Sequence, residues 1–133
     1  ALPSCPAVIA IGRCDGVVSV YEANEKRVLD ELRDHSHGVT DLSFNSDGSL
    51  LATAAKDGTV KLWDCVSFRG AWRCLRTLVV DLEDRMIMCR FALDSSLLTL
   101  SLGGSLQLWD TDSGQCSSGV VMDLPSRLGS LAS

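Results

Sequence analysis

Apolar and polar residues alternate in short runs along most of the chain, and polar turns carrying glycine separate the runs. Alternation with a period of two puts every second side chain on the same face, the signature of a half-buried β-strand. The middle of the chain is clearest. Val39–Phe44 reads as a strand with Leu42 and Phe44 on one face, Asn45-Ser46-Asp47-Gly48 as a hairpin turn, and Leu50–Ala55 as a second strand whose small side chains suit crowded packing. Asp57-Gly58 is another tight turn, Thr59–Trp63 a third strand and Cys74–Val79 a fourth. Glycine suits such turns because it accepts a positive φ. Upstream lie Val8–Ile11, Val17–Tyr21 and Arg27–Leu32; downstream lie Met86–Phe91, Leu97–Ser101, Ser105–Trp109 and a weaker Gln115–Met122. No stretch shows the helical period, so the expected class is all-β with about eleven strands.

The strands recur as a unit. Asp15-Gly16 precedes Val17–Glu22, Asp57-Gly58 precedes Thr59–Asp64, and Gly103-Gly104 precedes Ser105–Asp110, each run ending on an aromatic and an acid. The glycines at 16, 58 and 104 give steps of 42 and 46. Four short strands and their turns occupy roughly 40–45 residues in repeat proteins built of small radial sheets. The units divide a single domain, 1–133, into a partial first sheet over about 7–33 that lacks its opening strand, a second over about 34–79, and a third over about 80–122. Residues 123–133 are either a tail or the start of a further unit.

Composition narrows the function. The net charge of -5 argues against a surface that tracks phosphates, and Arg69, Arg73 and Arg76 read as a solvated face rather than an RNA site. Cysteines at 5, 14, 65, 74, 89 and 116 form no C-x-x-C pair, and two histidines are too few to complete an obvious metal site. With no leader-like start and no Asn-x-Ser/Thr acceptor, they read as reduced, mostly buried thiols of a cytoplasmic or nuclear protein. No apolar run reaches the roughly 18 residues of a membrane span. Nucleophile elbow, phosphate loop, dinucleotide fingerprint and H-E-x-x-H are all absent. Cys14, beside Arg13 but with no histidine nearby in sequence, reads as a resting thiol. The expectation is no enzyme activity and no cofactor.

The stretch His35-Ser36-His37-Gly38-Val39-Thr40-Asp41-Leu42-Ser43-Phe44, then Asp47-Gly48, Leu51-Ala52-Thr53-Ala54, Asp57-Gly58 and Leu62-Trp63-Asp64, resembles a WD40 repeat almost end to end. Two Trp-Asp pairs in register extend the resemblance over roughly residues 7–116. It implies β-propeller blades, here about three and so an incomplete arc. It also implies a structural hydrogen-bonded network within a blade: His35, Asp57 and Trp63 in the second, Ser101 and Trp109 in the third. Ala55 stands where the second blade's hydroxyl is expected, so that network is expected to be partial, at about 1–3 kcal/mol for an unpaired buried indole N–H. Leu82 and Gly103 replace the histidine and aspartate of the third blade.

In this family, partners often dock on loops at one end of the blades, which here carry Arg13, Cys14, Ser36–Gly38, Lys56, Glu83–Arg85 and Leu102. His37, Lys56 and Arg85 are the candidates for contact on that face. At the opposite end, the long Cys65–Arg73 connection offers Phe68, Arg69, Trp72 and Arg73. Tryptophan and arginine are enriched at interface hot spots, but aromatics folded back onto their own sheet are an equal alternative. The basic residue found two after the Trp-Asp aspartate in some members that recruit ubiquitin-ligase substrates is absent: Asn24, Val66 and Asp112 stand there. The expected role is a scaffold or adaptor for other proteins or peptides; a regulatory subunit of an enzyme complex or an exchange factor is the alternative. Closed propellers have 4–8 blades, so three imply a fragment, a splice form, part of a larger ring or a self-associating chain. The initial alanine leaves room for an upstream portion.

Overall fold

A computed structural model describes residues 8–24, 26–65, 72–80, 86–92, 96–101 and 105–121. Phe68, Arg69, Val66, Leu82, Glu83–Arg85, Leu102–Gly104, Cys5 and the 123–133 segment lie outside these residues. The described part is all-β. Eleven strands form three antiparallel sheets: β1 (Val8–Gly12), β2 (Val18–Glu22) and β3 (Arg27–Leu32); β4 (Val39–Phe44), β5 (Leu50–Ala55), β6 (Thr59–Asp64) and β7 (Arg73–Val79); β8 (Met86–Phe91), β9 (Leu97–Ser101), β10 (Ser105–Trp109) and β11 (Cys116–Val121). Within each sheet the strands follow chain order, so every connection is a hairpin. No described helix is long and apolar enough to cross a membrane.

The first sheet has three described strands. Its β2 corresponds to β6, since Gly16 precedes one as Gly58 precedes the other and Tyr21 stands in the register of Trp63. Hence β1 corresponds to β5, and no described strand holds the place that β4 takes in the middle sheet. Among the described strands, β1 pairs with β2 alone.

Each sheet has two kinds of face, and the kinds alternate through the stack. One face of the middle sheet carries Leu51 and Trp63, opposite each other on β5 and β6. It packs on Val18, Val20 and Leu32 of the first sheet, with Leu42, Phe44 and Trp72 filling around them. The other face carries Ala52, Ala54, Val60, Leu62 and Leu78, and meets Cys89, Leu97 and Trp109 of the third sheet. A tryptophan-bearing face thus lies on a face of small and branched residues at both junctions. The alanines of β5 leave room for the Trp109 indole, and period-two alternation keeps the two sets of side chains apart.

Candidate functional site

Beneath the loops at one end of the middle sheet lies a buried chain of hydrogen bonds. His35, in the β3–β4 connection, has a fully covered side chain. Its Nε2 lies 2.7 Å from Thr53 Oγ1 on β5, and its Nδ1 lies 3.1 Å from Asp57 Oδ2 in the β5–β6 turn. Trp63 Nε1 donates to the same Thr53 oxygen at 3.1 Å. Asp57 also accepts from the Ser36 amide, the Thr59 amide and the Thr59 hydroxyl.

The protons have one consistent arrangement. Burial disfavours the imidazolium and holds the His35 pKa below 6.5, although the Asp57 carboxylate opposes this. Burial also resists ionisation of Asp57, but hydrogen bonds from the Thr59 hydroxyl, His35 and the Thr59 amide outweigh it and keep that pKa below 3.8. A neutral imidazole beside a carboxylate donates through Nδ1 and accepts through Nε2. The order is therefore Trp63 N–H to Thr53, Thr53 O–H to His35, and His35 N–H to Asp57.

The hydroxyl of this network is Thr53. The network is complete, and the expected gap at Ala55 is corrected. Leu51 faces Trp63 across the β5–β6 ladder, so the next residue on that face, Thr53, is the one the tilted indole reaches. The third sheet repeats the geometry. Trp109 Nε1 donates to Thr99 Oγ1 at 3.0 Å, so Thr99 takes the place expected for Ser101, which is itself buried farther along β9. Both threonines stand ten residues before their tryptophan, a spacing visible in the sequence. At that offset from Tyr21 the first sheet has Ile11, which bears no hydroxyl.

Above the network, the β1–β2, β3–β4 and β5–β6 loops lock together through their backbones. Val39 N donates to Arg13 O at 3.0 Å, and Lys56 N donates to Gly38 O at 2.9 Å. Gly16, at φ 91°, lies so close to its neighbour that a Cβ there would stand 2.5 Å from the His35 carbonyl oxygen. A Cβ on Gly38 would likewise stand 2.9 Å from the Cys14 carbonyl oxygen. Only glycine fits these approaches. The side chains of Arg13, Cys14, Asp15, Ser36, His37 and Lys56 nevertheless remain exposed.

Charges on this end face are cross-linked. Arg13 bonds Asp15 at 2.6 Å and Glu31 at 3.4 Å, and Arg33 reaches the other Glu31 oxygen at 3.0 Å. The Val17 amide, with the Arg13 guanidinium, holds the Asp15 carboxyl below 3.8. Exposed pairs of this kind contribute little stability, so their role is to fix the pattern of charge. Glu31 does not stand out in the sequence; alternation along β3, which turns it to the exposed side, is the signal that marks it.

At the opposite end Trp72 is turned inward. Its ring meets Phe44 edge-on at 6.2 Å, its amide donates to Asp30 Oδ2 at 3.1 Å, and it packs against the core between the first two sheets. Of the two readings of this connection, Trp72 follows the structural one. Arg73 begins β7 and is exposed. Of the five described cysteines only Cys89 is buried, while Cys65 and Cys74 are half-buried and Cys14 and Cys116 exposed, which corrects the expectation that most are buried. Burial still pushes the Cys65 and Cys89 thiols up to about 12, which makes them inert. Among the described residues no group of three His, Cys, Asp or Glu could hold a metal ion.

The family model described as "WD domain, G-beta repeat" matches residues 26–64. WD repeat and SOCS box-containing protein 1 of Xenopus tropicalis is 32% identical over 107 residues, covering 79% of this chain and 24% of the relative. Mitochondrial division protein 1 of Candida glabrata is 24% identical over 130 residues, 93% of this chain and 18% of the relative. Apoptotic protease-activating factor 1 of Danio rerio is 27% identical over 131 residues, 96% of this chain and 10% of the relative. The chain therefore spans about a quarter, or less, of the length of these relatives.

Proposed function

The chain belongs to the WD40 repeat family, and from that membership we infer that it works as a scaffold for other proteins rather than as a catalyst. It is a partial propeller whose relatives are larger WD-repeat proteins with differing roles in their names. The reading rests on one observation: the end face at Arg13–Asp15, Ser36–His37 and Lys56 combines a fixed backbone with exposed side chains. Loops held in this way lose little conformational entropy when they dock, and that preorganisation raises affinity. The face mixes cations, carboxylates and an imidazole, which suits a polar peptide segment carrying both charges. The His35–Asp57 pair does not change this reading. Its geometry matches that of a base and its orienting acid, but both imidazole nitrogens are already engaged and the ring is covered.

The test is a pull-down with quantitative mass spectrometry, comparing the natural chain with the double variant His37→Ala/Lys56→Glu. Both side chains are exposed, so the thermal midpoint should move by less than about 2 °C. Specific partners should fall at least about tenfold, the loss expected for interface energies of about 1.4 kcal/mol. An unchanged partner profile with an unchanged midpoint would overturn the assignment to this face.

A further inference from the structure

The charges on the end face do not cancel evenly. The Asp15 and Glu31 carboxylates are held by Arg13 and Arg33. Asp34 is held by the Lys61 ammonium at 3.1 Å, and Asp57 by His35, the Ser36 amide and Thr59. The Arg13 and Arg33 guanidiniums are occupied in the same pairs. Two exposed side chains are left over. Among the described residues the Lys56 ammonium has no partner, and the His37 ring is bonded only through Nδ1, 3.0 Å from the Ser36 hydroxyl.

These two residues come together for a backbone reason. The Lys56 amide donates to the Gly38 carbonyl at 2.9 Å, so Lys56 lies against the residue that follows His37. Gly38 is buried, and the Ser36 amide is tied to Asp57 at 3.2 Å. The Ser36–Gly38 loop and Lys56 thus hold one arrangement before any partner arrives.

What the pair lacks is an anion. Lysine offers donors only, and an anion beside His37 selects the tautomer in which Nδ1 accepts from Ser36 and Nε2 donates. We propose that an aspartate or glutamate of the partner's peptide segment anchors it here, its carboxylate drawn to Lys56 Nζ and His37 Nε2. The proposal rests on the end-face reading and narrows it. Of the two charges such a segment carries, the acid finds unengaged donors, whereas a base finds carboxylates already taken. A carboxylate suits the site better than a phosphate, whose larger charge is matched by guanidinium forks, and Arg13 and Arg33 are both engaged.

The probe is a library of random linear peptides displayed on phage and panned on the natural chain. Retained peptides should share an aspartate or glutamate at one position. In a synthetic peptide of the best-retained sequence, exchanging that acid for its amide should weaken binding about fivefold, as for one exposed charge pair. Lys56→Glu should weaken it about tenfold or more and His37→Ala about threefold, both with unchanged thermal midpoints. Panned in its turn, the Lys56→Glu chain should select lysine or arginine at that position. Peptides with no shared acid, or with an affinity indifferent to Lys56→Glu, would overturn the carboxylate anchor while leaving a peptide-binding scaffold. So would binding more than about tenfold tighter when phosphoserine replaces the acid, which would make this a phosphate site. A natural chain that retains no peptide would remove the end-face reading together with the anchor.

Discussion

Thr53 joins three elements through one oxygen. It accepts from the Trp63 indole and donates to His35, which in turn holds the β5–β6 turn through Asp57. Replacing it with valine keeps the shape and the branched Cβ but leaves the indole N–H buried without an acceptor. Thr53→Val should cost about 2 kcal/mol and Thr53→Ser well under half of that, read from urea midpoints at constant slope. The network also sets a pH dependence. The folded state depresses the His35 pKa, so between its folded value and 6.5 the unfolded chain binds the extra proton. This contribution is fully present above pH 6.5 and is lost as pH falls through the lower folded value. Asp57, also depressed, acts in a more acidic window, below 3.8. Stability should therefore decline from pH 7 to pH 5, and His35→Gln should flatten that slope even if it lowers stability throughout. An equal slope in the variant would remove His35 as the titrating group.

At the scale of the element, the strands were legible and the partners of their side chains were not. All eleven predicted strands are present with ends displaced by a residue or so, because alternation and Asp-Gly turns are local signals. The hydroxyl was placed at Ala55 and Ser101 instead of Thr53 and Thr99 for a physical reason. Residues two apart share a face, so periodicity cannot choose between them; the cross-strand register chooses. Trp72 was ambiguous for a related reason, since its position depends on Phe44 and Asp30, both distant in sequence. The contacts that stitch neighbouring sheets are of the same hidden kind. Asp30 on β3 and Arg76 on β7 occupy equivalent registers, opposite Val20 and Leu62. Asp30 accepts the Trp72 amide and Arg76 donates to the Asp112 carbonyl, so opposite charges hold the same part of the next sheet. Closer in, Asp41 on β4 takes the Cys89 amide and the Arg90 guanidinium of β8. Backbone atoms are bonded in each case, and a repeat consensus based on side-chain identity does not register them.

Across the whole molecule, stability should be graded rather than uniform, because stacked repeats draw it from their neighbours. The middle sheet is covered on both faces, and its β6 is flanked by β5 and β7. By contrast, β1 pairs with one described strand and has a face with Ile9 and Ile11 half in solvent. Opening β1 exposes little that is not already wet, whereas opening β6 separates both hydrophobic clusters. Amide protection reports the free energy of the smallest opening that frees each group. In this chain, β6 amides should exchange only through unfolding of the stack. The β1 amides bonded to β2 should exchange through a local opening that is less costly by several kcal/mol, or about a hundredfold or more in rate. Denaturant separates the two routes: sub-molar urea should accelerate β6 exchange steeply and leave β1 exchange nearly unchanged, because only the first exposes a large surface. Equal protection and equal urea dependence for the two strands would mean that the three sheets unfold as one unit, and the cooperative core would then have to extend to β1.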